Sequence, residues 1–170
     1  MIVRWMGAIC VLGACGKAGF SMAAECIARN RALEMLLRSL ELMECQMEYR
    51  LTELPELCGI LTSACSGPVQ QVFREFGKEL AESTQADAAV CMALAVERTP
   101  NLPAACGEIL NSLAKGFSSP DLEGQLKSLS YAKSRVHALL DAGMKEQAGQ
   151  VKSYRALGLC GGAALAILLL

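Results

Sequence analysis

The sequence predicts an all-α protein: an antiparallel helical bundle of about six helices, flanked by a membrane helix at each terminus. Three observations lead there. Apolar residues recur at intervals of three and four through the middle of the chain. No stretch alternates with the period of two that a half-buried strand requires. The apolar excess is gathered at the two ends, although 53% of all residues are hydrophobic and 19% are charged. At 170 residues the chain is long enough for one domain with a core and short for two.

The first element, within residues 1–24, is the run from Trp5 to Ala24, interrupted by a single charge, Lys17. As a helix rising ~1.5 Å per residue it reaches across a hydrocarbon core of ~30 Å. Lys17 costs a few kcal/mol near the middle of such a span unless it snorkels to the interface. The central domain, residues 25–153, then opens with a long amphipathic helix whose apolar stripe is Leu33, Leu36, Leu37, Leu40, Met43, Met47 and Leu51.

A second, short helix covers "TELPELCGILTSACSG" and stops near Gly67. Pro68 is suited to the first turn of a third helix, because it has no amide to leave unpaired there. Val69, Val72, Phe73, Phe76 and Leu80 form that helix's apolar face. A fourth helix runs from about Ala86 to Val96, and "RTPNLP" breaks the chain. The fifth spans Ala104 to Ala114.

The sixth is predicted to start with Ser119 as N-cap and Pro120 at the first position, with Asp121 and Glu123 in the first turn opposite the helix dipole. Leu122, Leu126, Leu129, Val136, Leu139 and Leu140 carry its apolar face, and Glu123 is spaced to pair with Lys127. No proline separates it from the apolar tail "LGLCGGAALAILLL", which with Tyr154 and Arg155 makes a second membrane segment over residues 154–170. Gly158 and Gly162 form a G-x-x-x-G that allows close helix approach, with Gly13 among the glycines on the opposite segment as a complementary small-residue face.

Several function classes fall away. A net charge of -1, with no basic stripe interleaved with aromatics, argues against nucleic acid. There is no phosphate-binding glycine loop after a strand and no paired-carboxylate motif, so the protein is expected not to be an enzyme, and no cofactor or small-molecule substrate is expected. The 9 cysteines include no C-x-x-C pair, and the only imidazole is His137. They are therefore expected to be reduced packing residues rather than zinc ligands, a disulfide framework or a nucleophile with its base.

Two alternatives place the apolar ends differently. A soluble ligand-binding or thiol protein would pack them into its core. Export would follow from reading "LGAC", Leu12 to Cys15, as a lipoprotein box, or Ser21 to Ala23 as a signal-peptidase site. Against export stands the odd cysteine number, a liability in an oxidising compartment. Arg29, Arg31, Arg38, Lys145, Lys152 and Arg155 lie between the apolar ends and only Arg4 lies outside them. The positive-inside rule then keeps the central domain in the cytoplasm.

Taken in order along the chain, these pieces resemble stage III sporulation protein AB of endospore-forming bacteria over nearly the full length. The resemblance is carried by the glycine-rich apolar start leading to Met22-Ala23 and Arg31; the leucine-rich helix closing on Tyr49; Thr52 and Leu54; "PVQQVFREF" from Pro68 through Phe73 to Phe76; Asp121 and Gln125 opening the last long helix; and the apolar tail. Gln46, Glu53 and "KGFSSPD" depart from the family pattern, and a tryptophan expected near Cys91 is missing. The resemblance implies a helical domain similar to the cytoplasmic domains of the type II secretion inner-membrane platform protein. It implies a multi-pass protein of the mother-cell membrane facing the forespore, a scaffold in the complex that bridges the two cells. Its expected partners are a companion sporulation ATPase and the other membrane proteins of the same operon.

Overall fold

The structure, a computed structural model, describes residues 2–50, 54–82, 87–117 and 121–144, with the backbone alone for 2–24 and at 50. All the secondary structure among these residues is helical. In chain order the elements are α1 (Ile2–Arg50), α2 (Leu54–Ala64), α3 (Gly67–Glu82), α4 (Ala88–Glu97), α5 (Ala104–Gly116) and α6, helical over residues 122–144. The chain divides into two units: residues 29–140 form one, and the stretches 1–28 and 141–170 form the other.

α1 is continuous from its apolar start into the amphipathic part. Ala32, Leu33, Leu36, Leu40, Met43 and Met47 are buried, the spacing of one helix face. Ser39 lies within that stripe, and its hydroxyl donates to the Leu36 carbonyl at 2.6 Å, so no polar group is buried unpaired there. α2 adds Leu57, Cys58 and Leu61 to the core.

The corner between α2 and α3 turns on Gly67, whose φ of 65° lies in the left-handed region that a Cβ disfavours. Gln70, one turn into α3, donates its side-chain amide to the Thr62 carbonyl at 2.8 Å and so satisfies an acceptor at the end of α2. Val69, Val72, Phe73 and Phe76 are buried along one side of α3. Glu79 follows them inward and pairs with Arg98 at the end of α4.

α4 begins at Asp87, whose carboxylate accepts from the Ala89 amide at 3.1 Å. It starts later than the predicted Ala86. The fifth helix runs two residues past the predicted Ala114, through Lys115 to Gly116. Gly116 is there because α6 passes too close for a side chain: a Cβ would stand 2.3 Å from Ser128 Oγ.

The start of α6 corrects the prediction. Residues 119 and 120 lie outside the described residues, and helical geometry begins at 122. Asp121 is the cap rather than a first-turn residue. Its carboxylate accepts from the Gly124 amide at 3.0 Å and its carbonyl from the Gln125 amide at 3.2 Å, the first bond of the helix. Leu122, expected on the apolar face, is exposed because it precedes the stretch where α6 meets the core. Leu129, Ala132 and Val136 carry the buried contact, with Leu126, Leu139 and Leu140 half-buried against it. Glu123 and Lys127 are both exposed and close no ion pair; an i,i+4 pair in water gains only about 0.3–0.5 kcal/mol, too little to hold two long side chains together. Lys133 of α6 instead reaches Glu44 of α1, tying the first helix to the last.

Among the described residues no helix is long and apolar enough to cross a membrane. The two predicted membrane segments fall outside them: the side chains of residues 1–24, and everything from 145 on.

Candidate interaction surface

The family-motif residues separate into buried and exposed sets. Phe73 and Phe76 meet in the core and are fully covered, so their part is packing. Tyr49, near the end of α1, is 77% exposed, an aromatic ring left in water. Asp121 and Gln125 are joined by the cap of α6, where they serve the helix start. Gly13 lies on the α1 backbone, and Gly158 and Gly162 lie outside the described residues. Among the described residues these positions are not gathered into one site.

Pro68 does border a concavity. The first two turns of α3 and the loop between α4 and α5 enclose a groove of about 400 Å³, lined by Gly67, Pro68, Gln70, Gln71, Arg74, Glu75 and Asn101. The periodicity that buries Val69, Val72, Phe73 and Phe76 turns Gln71 and Arg74 outward. Asn101 arrives from "RTPNLP", which in the sequence reads only as a break. Buried Thr99 holds that loop, its hydroxyl donating to the Ala95 carbonyl at 2.9 Å.

The charges in the groove are unevenly matched. Glu75 accepts from the Lys78 ammonium at 2.8 Å, and this hydrogen bond holds its carboxyl below the usual range, with smaller pulls from Arg98 and Arg74. Gln70 is committed to Thr62. Gln71, Arg74 and Asn101 line the groove without a hydrogen bond or ion pair of their own among the described residues. Sequence reasoning missed this surface. The signal was present in the polar members of "PVQQVFREF", but Asn101 joins them only through the tertiary fold.

A second concavity, between α5 and α6, holds about 50 Å³ above Ile109, Leu113 and Ala132. Binding clefts for organic ligands run ~300–1,000 Å³. Glu108 and Arg135 stand at its mouth, 3.8 Å apart and both exposed.

Four of the thiols are placed for packing. Cys58, Cys65, Cys91 and Cys106 are buried and free, Cys26 is half-buried and Cys45 exposed. Burial pushes the Cys58 thiol up to about 12 and Cys106 up to about 11, and it raises Cys65 and Cys91 as well. A thiol must ionise to attack, so these four are poor nucleophiles at neutral pH. His137 is an exposed residue of α6 beside the buried Val136. Among the described residues no three His, Cys, Asp or Glu side chains are grouped to hold a metal ion.

The comparisons with known proteins agree with the helical architecture. No curated protein matches the chain. The fold is similar to the solved structure of a stage III sporulation protein AB (SpoIIIAB), with a TM-score of 0.65 and 18% identity, covering 72% of this chain and 98% of that one. At that identity the likeness speaks for the fold alone. The family model for stage III sporulation protein AB matches residues 4–170 and so takes in the bundle together with both apolar ends. On that match, the chain belongs to the stage III sporulation protein AB family.

Proposed function

We propose that this protein is a non-enzymatic membrane platform in the complex that joins mother cell and forespore during sporulation. Residues 1–24 and 154–170 anchor it in the mother-cell membrane facing the forespore. Residues 25–153 form a cytoplasmic bundle that docks the companion sporulation ATPase and meets the other membrane proteins of the operon. Gly13, Gly158 and Gly162 let the two anchors pack closely within the membrane.

The observation that carries this reading is the extent of the family match, which runs through both apolar ends as well as the bundle. The raised thiols of Cys58 and Cys106 speak against the alternative of a thiol enzyme.

Fractionation tests the anchoring. The full-length protein is expected in the membrane pellet after high salt and alkaline washing, and deletion of residues 156–170 is expected to weaken its retention. If the full-length and shortened proteins are both soluble without detergent, the platform reading fails. Copurification with the companion ATPase from detergent extracts tests the docking separately.

A further inference from the structure

The motif "PVQQVFREF" does more than pack. Its apolar members, Val69, Val72, Phe73 and Phe76, account for the core contact of α3, and its polar members are left over. Of these, Gln70 and Glu75 are satisfied inside the molecule by Thr62 and Lys78. Gln71 and Arg74 are exposed and line the groove with Asn101.

We propose that this groove receives an acidic segment of a partner protein, with Arg74 taking a carboxylate and Gln71 and Asn101 taking the backbone beside it. The inference rests on the platform reading, in which the bundle docks a protein partner. Three features of the groove specify the occupant. Its volume of about 400 Å³ falls in the ~300–1,000 Å³ range of binding clefts. Its lining carries Arg74 and Glu75, and because Lys78 closes an ion pair on Glu75 from beside the groove, the three together leave one positive charge, with Arg74 in no ion pair among the described residues. The planar guanidinium of Arg74 offers parallel N–H donors that match a carboxylate. Gln71 and Asn101 each present an amide N–H₂ and a carbonyl, the complement of a peptide unit.

Phosphate-rich partners fit less well. A nucleic acid needs a row of cations, and a lipid surface needs several basic side chains on one plane. The groove provides one cation in no ion pair and two neutral amides.

The test uses the full-length protein in sporulating cells, with a photo-crosslinking amino acid at position 71 and, as a control, at position 131, an exposed position of α6 that does not line the groove. The expected result is an adduct from position 71 that maps to a partner segment containing Asp or Glu. Arg74→Glu is expected to cut its yield about tenfold or more, while Arg74→Lys retains part of it. Exchanging the crosslinked acidic residue of the partner for Arg is expected to restore the adduct to Arg74→Glu. Arg74 is exposed, so the bundle should fold in both variants, which the circular dichroism of purified protein checks. An adduct with lipid, with a second copy of this chain or with a segment lacking acidic residues overturns the proposal. So does a yield indifferent to Arg74→Glu, or no adduct from a protein that stays in the membrane pellet. A protein absent from the pellet overturns the platform reading instead, and the two failures are thereby told apart.

Discussion

α3 and α4 are consecutive helices packed against each other, yet they divide their residues between core and water in opposite ways. α3 is sharply two-faced: Val69, Val72, Phe73 and Phe76 are buried, and Gln71, Arg74 and Lys78 are exposed. α4, "AAVCMALAVE", is apolar nearly all round. Cys91, Met92 and Ala95 are buried, while Val90 is 55% and Leu94 36% exposed. In α3 the pattern of residue types orients the helix. In α4 it does not, and the neighbours choose the inward face.

The difference can be broken most severely from the α3 side. Phe73→Ala is expected to cost about 3–5 kcal/mol, because it empties a site closed on every side. Denaturant unfolding of the purified protein measures it, and a loss under ~1 kcal/mol would mean that α3 is not the packed side of the pair.

Next comes the bond between the two helices. Arg98→Ala leaves the Glu79 carboxylate, in a residue only 6% exposed, without its partner. The expected cost is about 1–3 kcal/mol, the penalty for a buried group left unpaired. The Arg98→Ala, Glu79→Gln double variant is expected to recover part of it, read as a non-additive term in a double-mutant cycle.

The cap of α4 sets a smaller effect. Asp87→Ala removes the acceptor of the Ala89 amide and is expected to cost about 1 kcal/mol. Smaller still, Val90→Ser on the outer face of α4 is expected to stay within ~0.5 kcal/mol of the parent. A larger loss in membranes than in detergent would show that this face is covered in the assembled complex.

The smallest effect, none at all at neutral pH, concerns the thiols. Burial lifts Cys58 from 9.0 in the open chain to about 12 in the fold, so the folded state holds its proton longer than the unfolded one. Stability should therefore show no thiol-linked change below pH 9.0 and should fall as pH rises from there toward 12. Alkylation at neutral pH should reach the exposed Cys45 well before Cys58 or Cys106. Equal rates would mean that the core opens readily.

How much of this was written in the sequence depends on which physical signal each element carries. The stripe of α1 from Leu33 to Met47, the two faces of α3 and the Gly67–Pro68 corner were legible, because periodicity and turn chemistry are local properties of the chain. The start of α6 was misplaced. Ser119, Pro120 and Asp121 are all residues that begin helices, and local preference could not choose among them. Asp121 took the cap because the helix begins at 122.

The candidate groove was not read from the sequence. Gln71 and Arg74 belong to the polar face of an amphipathic pattern but nothing local singled them out, and Asn101, about thirty positions along the chain, read only as part of a break.

By itself, then, the sequence determined the helical class, the Gly67–Pro68 corner, the face that α3 buries and the apolar character of both ends. The tertiary structure alone decided which side of α4 is covered, that Glu79 is buried against Arg98, that Lys133 answers Glu44, and that Asn101 joins Gln71 and Arg74 around one groove. The reason is range. Helix periodicity, capping and turns are set by residues within one or two turns of each other, whereas burial and pairing depend on which distant surfaces arrive.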